Sequence, residues 1–108
     1  MGAAERRKGA RAERDVVQAL RRAGWAAETT RAASGAQRGD DIATDAPVSI
    51  EVKDRGAMDL SGWLRQAEAN ADGRPAVVWH KRRGKSQPED WYVTMTGETF
   101  LTLLRDAM

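Results

Sequence analysis

Residues 39 to 53 read Gly39-Asp40-Asp41-Ile42-Ala43-Thr44-Asp45-Ala46-Pro47-Val48-Ser49-Ile50-Glu51-Val52-Lys53. Val48, Ile50 and Val52 alternate with Ser49, Glu51 and Lys53. This period of two predicts a strand over 48–53 with one apolar and one polar face. Asp41 to Thr44 is expected to form a short strand before it. Asp45, Ala46 and Pro47 supply the turn between them, Pro47 having no N–H to give to a ladder. Asp41 and Glu51 then lie on neighbouring strands. Antiparallel pairing would bring them to one end of one sheet face. Lys53, two residues after Glu51, would share that face a few ångströms away.

Outward from this unit the chain alternates helix and strand signals. Residues 1–8 are basic and are expected to be a flexible arm, with 9–108 a single domain. The first helix should run from Gly9 or Ala10 to Ala23. Its apolar positions Ala12, Val16, Val17, Leu20 and Ala23 form one stripe. Gly24 follows and can take the left-handed conformation that ends a helix. Trp25 to Thr30 is expected as a strand and 31–39 as a loop rich in Gly, Ser and Ala. A second helix should start near Asp59 or Ser61 as its cap and stop at Asp72-Gly73. Strands are expected over 75–80 and 91–95, with a basic loop over 82–89 between them. Thr96 should cap a last helix carrying Phe100, Leu101, Leu103 and Leu104. Those leucines are expected in the core, with a dimer seam as the alternative. Trp63, Trp79 and Trp91 are expected in the core or an interface. His80 is expected to be structural. The order α-β-β-β-α-β-β-α suits a central mixed sheet covered by helices.

The composition bounds the function. The chain has 108 residues, 41% hydrophobic and 31% charged, enough apolar material for one folded domain. Net charge is only +2, with an isoelectric point near 9.4. The cations are clustered, however. Arg6, Arg7, Lys8, Arg11 and Arg14 crowd one end, Lys81, Arg82, Arg83 and Lys85 form a second group, and Arg21, Arg22, Arg31 and Arg38 lie between. Clusters of this kind are either solvated charge runs or a surface for a polyanion. There is no cysteine, which excludes disulfides and thiolate metal sites. No apolar run approaches the roughly 20 residues that cross a bilayer. No hydrophobic segment follows the basic N-terminus, so a secretory signal is not expected. A soluble, cytoplasmic protein is expected.

Asp41, Glu51 and Lys53 are the chemically informative residues. Phosphodiester hydrolysis near neutral pH needs charge neutralisation and an activated water. A hard divalent cation provides both and prefers oxygen ligands. Two carboxylates and the Val52 carbonyl would make an oxygen donor set. A lysine alongside can orient or help deprotonate the water and can stabilise charge on the pentacovalent phosphate. A Glu-x-Lys pair alone is common on solvated strand faces. The preceding Asp-Ile, a helix bearing Glu13 and the basic surface set this one apart. Glu13 lies beside the apolar stripe, in line with Val17 and Leu20.

Gly39-Asp40-Asp41-Ile42 with Ile50-Glu51-Val52-Lys53 resembles the PD-(D/E)XK, or restriction-endonuclease-like, nuclease superfamily. Within it, Gly9-Ala10-Arg11-Ala12-Glu13 and Arg31-Ala32-Ala33-Ser34-Gly35 look most like archaeal-type Holliday junction resolvases and related small phage nucleases. The resemblance spans about Gly9 to Met95. It implies an α/β fold with an αβββαβ core, and Mg²⁺ or Mn²⁺ as cofactor. It implies Asp41 and Glu51 as ligands, Lys53 as catalytic lysine, and Glu13 completing the metal site directly or through water. Ser34 would approach the scissile region, and Gln66 would face the site from the second helix. The family usually has proline where Asp40 stands, so either aspartate fits the ligand position. Asp41 is preferred because it directly precedes Ile42. The implied activity is cleavage of branched DNA, leaving a 5′-phosphate, by a homodimer with two equivalent sites. Arg6, Arg7, Arg11, Arg31, Arg38, Lys81, Arg82 and Arg83 would contact DNA phosphates. The alternatives are a nicking, flap or restriction-type member of the superfamily, or a non-catalytic DNA-binding recombination accessory protein.

Overall fold

In the computed structural model, which describes residues 2–34 and 40–108, the strand predicted over 48–53 is β3, Ser49–Lys53. The order is α1 (Ala3–Arg22), β1 (Ala27–Thr29), α2 (Thr30–Ser34), β2 (Ile42–Thr44), β3, α3 (Leu60–Asn70), β4 (Ala76–His80), a 3₁₀ turn (Pro88–Asp90), β5 (Tyr92–Thr94) and α4 (Gly97–Asp106). The architecture is α/β, with a three-stranded mixed sheet. β3 and β4 are parallel, and β4 and β5 antiparallel. β1 and β2 form a separate antiparallel pair.

The two faces of β3 are buried against different helices. Ile50 and Val52 pack with Ala12, Val16, Val17 and Leu20 of α1. On the other side of the sheet, Trp63 and Ala67 of α3 pack with Ala76 and Val78. The expected polar face of β3 is therefore not solvated. Ser49 is 1% exposed and Glu51 2%. A buried glutamate on a short strand is costly and needs local compensation.

Several expectations are corrected. Residues 3–8, expected to precede the first helix, belong to α1, which begins at Ala3 instead of Gly9 or Ala10. Ala3, Ala4, Glu5, Arg6, Arg7 and Lys8 are all helix-compatible, and Arg55 Nη1 donates to Glu5 Oε2 at 2.8 Å, tying this turn to the chain beyond β3. Residues 30–34, expected as strand end and loop, form the short α2. β2 and β3 do not pair as a regular ladder. Their link is a bond from Asp41 N to Ile50 O at 3.0 Å and a side-chain bond described below. The leucines of the last helix are not core. α4 has no buried residue, and Phe100, Leu101 and Leu104 are 51%, 66% and 48% exposed. Its amphipathic pattern alone did not say whether a partner face exists in this chain.

The caps follow the sequence. Asp59 accepts from Gly62 N and Thr96 from Thr99 N. Gly24, with φ of 100°, ends α1. Trp63 and Trp91 are buried, and Trp79 packs against the main core cluster. No helix among the described residues is long and apolar enough to cross a membrane.

Asp40, 3% exposed, is held by Arg74 Nη2 at 2.6 Å and by Ser49 Oγ at 3.1 Å. Arg74 also donates to Val48 O at 3.2 Å. This ties the segment before β2 to the turn after α3. Removing the cation leaves a carboxylate buried against the protein. Arg74→Met is expected to destabilise the fold by about 3 kcal/mol in urea titration at neutral pH, whereas Arg74→Lys should lose less.

Candidate active site: a carboxylate pair at the edge of β3

The ladder geometry of β3 decides where its backbone groups point. Ser49 N donates to Pro75 O, and Lys81 N to Lys53 O. Residues 49, 51 and 53 thus spend their backbone groups on the β4 side. Ile50 and Val52 present theirs to the opposite edge. Asp41 occupies that edge. Its N–H donates to Ile50 O, and its Oδ2 accepts from Val52 N at 2.7 Å. The Asp41 side chain thus stands in for a neighbouring strand.

Asp40 and Asp41 are adjacent yet have different surroundings. Asp40 is committed to Arg74 and Ser49. Asp41 lines a cavity of about 260 Å³ with Glu13, Glu51, Val52, Lys53 and Gln66. Arg6 and Arg31 stand in the same wall. One cavity therefore gathers Glu13 from α1, Asp41 from just before β2, Glu51 and Lys53 from β3, and Gln66 from α3.

Two polar residues of α3 organise the strand residues. Lys53 Nζ donates to Gln66 Oε1 at 2.7 Å. One helical turn on, Asn70 Nδ2 donates to Glu51 Oε1 at 3.0 Å. Asn70 was not singled out from the sequence. The available signal was its i+4 spacing from Gln66, which puts both on one helix face. Arg74, Arg55 and Glu5 were also missed. Arg55 and Glu5 line the cavity beside the named residues.

The electrostatics are those of excess negative charge in a shielded place. Burial pushes the Glu51 carboxyl up to about 7, reinforced by the Asp41 charge and offset by Asn70 and Lys53. Burial likewise pushes Glu13 to about 7, with Asp41 adding and Arg31, Arg14 and Lys53 opposing. Asp41 is raised chiefly by burial, opposed by the Val52 N–H and Lys53. Asp41 and Glu51 touch through their side chains. Two carboxyl groups in contact need a proton or a cation between them.

The donor chemistry fits a hard divalent cation: two carboxylates in contact, with the Val52 carbonyl on the same strand edge. Among the described residues, no three acidic, histidine or cysteine groups form a ready-made metal cage. Magnesium asks for less, since it keeps several waters and is commonly held by one or two carboxylates.

The remaining sequence candidates lie elsewhere. Arg7 and Arg11 are exposed on α1 outside this cavity. Lys81, Arg82 and Arg83 line a second cleft, of about 430 Å³. Ser34 ends α2, and nothing is described of its side chain; Arg38 lies outside the described residues. His80 is buried, with Nε2 2.7 Å from Thr94 Oγ1, which accords with a structural role; its Nδ1 has no hydrogen-bond partner among the described residues.

The raised carboxyl groups fix the sign of a pH effect. A carboxyl whose folded pKa lies near 7 favours the fold below its unfolded value, about 4.5. That contribution is lost as pH rises through 7. Glu51→Gln should therefore raise the melting temperature of metal-free protein at pH 8, by on the order of 5 °C, and change it little at pH 4.5. In the wild type, Mg²⁺ should raise the melting temperature more at pH 8 than at pH 5.5, and Glu51→Gln should abolish that response.

Comparison of the chain with protein-family models, curated proteins and solved structures found no match, so the functional reading rests on this geometry.

Proposed function

We propose that the protein is a metal-dependent, structure-selective endodeoxyribonuclease of Holliday junction resolvase type, built on a restriction-endonuclease-like core. The observation that carries the reading is the shared cavity of Asp41, Glu51 and Lys53, with Glu13 in its wall. A divalent cation, Mg²⁺ or Mn²⁺, held by Asp41, Glu51 and the Val52 carbonyl, with Glu13 reaching it directly or through water, would neutralise phosphate charge and make water a better nucleophile near neutral pH.

The chain's own groups have distinct tasks in this scheme. Gln66 Oε1 fixes the Lys53 ammonium, which is then placed to donate to a phosphate oxygen as negative charge grows there. Asn70 holds one Glu51 oxygen, so that the carboxylate does not swing away from Asp41. The Val52 N–H does the same for Asp41. Arg6 and Arg31 reach the phosphates flanking the cut, and Arg7, Arg11, Lys81, Arg82 and Arg83 extend the contact without reading bases. A homodimer would offer two equivalent sites for the two cuts a four-way junction needs. The proposal places the protein in the cytoplasm.

The test is incubation with labelled four-way junction DNA, with and without Mg²⁺. Wild-type protein should cut only with metal. Asp41→Asn, Glu51→Gln and Lys53→Ala should each lower the rate at least about 100-fold, while binding at low salt persists and weakens steeply as salt rises. Preferential cutting of a flap or linear duplex would move the assignment to another nuclease of the superfamily. Absence of carboxylate-dependent Mn²⁺ binding in calorimetry would leave a DNA-binding accessory role.

A further inference from the structure

A second cleft opens at the carboxyl ends of the parallel strands β3 and β4, between residues 54–58 and 80–84. Crevices at such strand ends are frequent ligand sites. Asp54 and Arg55 belong to the walls of both this cleft and the carboxylate cavity, so the two are contiguous.

The cleft is cationic: Lys8, Arg55, Lys81, Arg82 and Arg83 line it with one carboxylate, Asp54, and of these cations Lys8 pairs with Asp54 at 3.9 Å and Arg55 with Glu5 at 2.8 Å. Among the described residues no carboxylate forms an ion pair with Lys81, Arg82 or Arg83. The segment that carries them is held in place. Trp79 Nε1 donates to Pro88 O and Trp91 Nε1 to Lys85 O, both at 2.9 Å. The chain turns back through Lys85 N to Arg82 O at 3.2 Å, with Gly84 at φ 81°, a conformation that suits glycine. Arg82 lies over the Tyr92 ring at 4.4 Å and donates to Asp90 O at 2.8 Å. A flat guanidinium-on-aromatic layer is thereby fixed at the cleft. Tyr92 and Met58, which also line it, are 52% and 62% exposed.

A volume of about 430 Å³ suits a single nucleotide and is too small for a double helix. Cations supply phosphate contacts, and guanidinium and aromatic planes are platforms for a base. We propose that this cleft holds one unpaired nucleotide of the DNA strand whose phosphate lies at Asp41, Glu51 and Lys53, its base stacked on the Arg82–Tyr92 layer and against Met58. The inference rests on the nuclease reading and narrows its substrate class: the strand to be cut must carry an unpaired or readily extruded nucleotide beside the scissile phosphate. A perfectly paired duplex would have to pay for unstacking first.

The test measures binding by fluorescence anisotropy in metal-free buffer. Two otherwise identical duplexes are compared, one with a single bulged nucleotide and one with an abasic bulge at the same place. Wild-type protein should bind the base-bearing bulge about tenfold more tightly. Tyr92→Leu and Met58→Ala should each shrink that ratio toward one. Because the ratio is read within each variant, a general loss of affinity does not imitate the result. Thermal melting of each variant confirms that it is folded, and Met58→Ala alters a side chain outside the core. Equal binding of the two bulges by wild-type protein overturns the inference, as does an unchanged ratio in both variants. Metal-dependent cleavage with no base preference refutes the cleft alone. A base preference without cleavage of any DNA refutes the nuclease reading alone.

Discussion

Everything at this site depends on the Asp41 carboxylate bonding to the Val52 N–H while it touches Glu51. Two ionised carboxylates about 4 Å apart repel by about 4 kcal/mol at an effective dielectric constant near 20. That is a large fraction of a small domain's net stability of about 5–15 kcal/mol. A core designed only for folding would put apolar side chains at this strand edge. The fold instead supplies partial compensation: a backbone donor for Asp41, Asn70 for Glu51, and a lysine held nearby by Gln66. The compensation is incomplete, as the raised Glu13 and Glu51 carboxyl groups register.

The scaffold is arranged to keep that incompleteness local. The Asp40–Arg74 pair, one residue away, closes the far end of the same segment and is joined to Ser49 at the start of β3. α1 covers the Ile50 and Val52 side of β3, and α3 brings Gln66 and Asn70 to Lys53 and Glu51. The first turns of α1 are tethered by Glu5 to Arg55, so the wall bearing Glu13 is anchored beyond the C-terminal end of the strand that carries Glu51. The acid pair is thus braced from three directions.

Much of this was legible from residues 39–53. The alternation in 48–53 located β3, and the Glu-x-Lys spacing correctly placed Glu51 and Lys53 near one another. Where alternation misled, it did so for one reason: a period of two separates two faces but does not say that the second is solvated. Here α3 covers it. The sequence favours Asp41 over Asp40 only through its place before Ile42, because their separation depends on Arg74, 34 positions away from Asp40, which no local pattern links to it. The charge density of residues 1–8 suggests a solvated arm. Charge does not oppose a helix when one carboxylate can reach Arg55. The leucines of α4 carried a true amphipathic signal, but a periodic stripe gives no information on whether the surface it meets lies in the same chain.

The small net charge conceals an uneven distribution of charge between two adjoining regions. Acidic groups converge at one cavity, while Lys81, Arg82 and Arg83 form no ion pair among the described residues in a cleft that shares its wall. Opposite charges pair at the shared wall, Lys8 with Asp54 and Arg55 with Glu5, while residues 82–90 are tethered through two tryptophan indoles and Asp41 and Glu51 are braced by donors of their own. Natural sequences are locally consistent except where function requires otherwise. Under the proposed function, a phosphate chain arriving with its metal ion would bring a cation to the Asp41–Glu51 pair and an anion to Lys81, Arg82 and Arg83. A structural explanation of either region alone would leave the other unexplained.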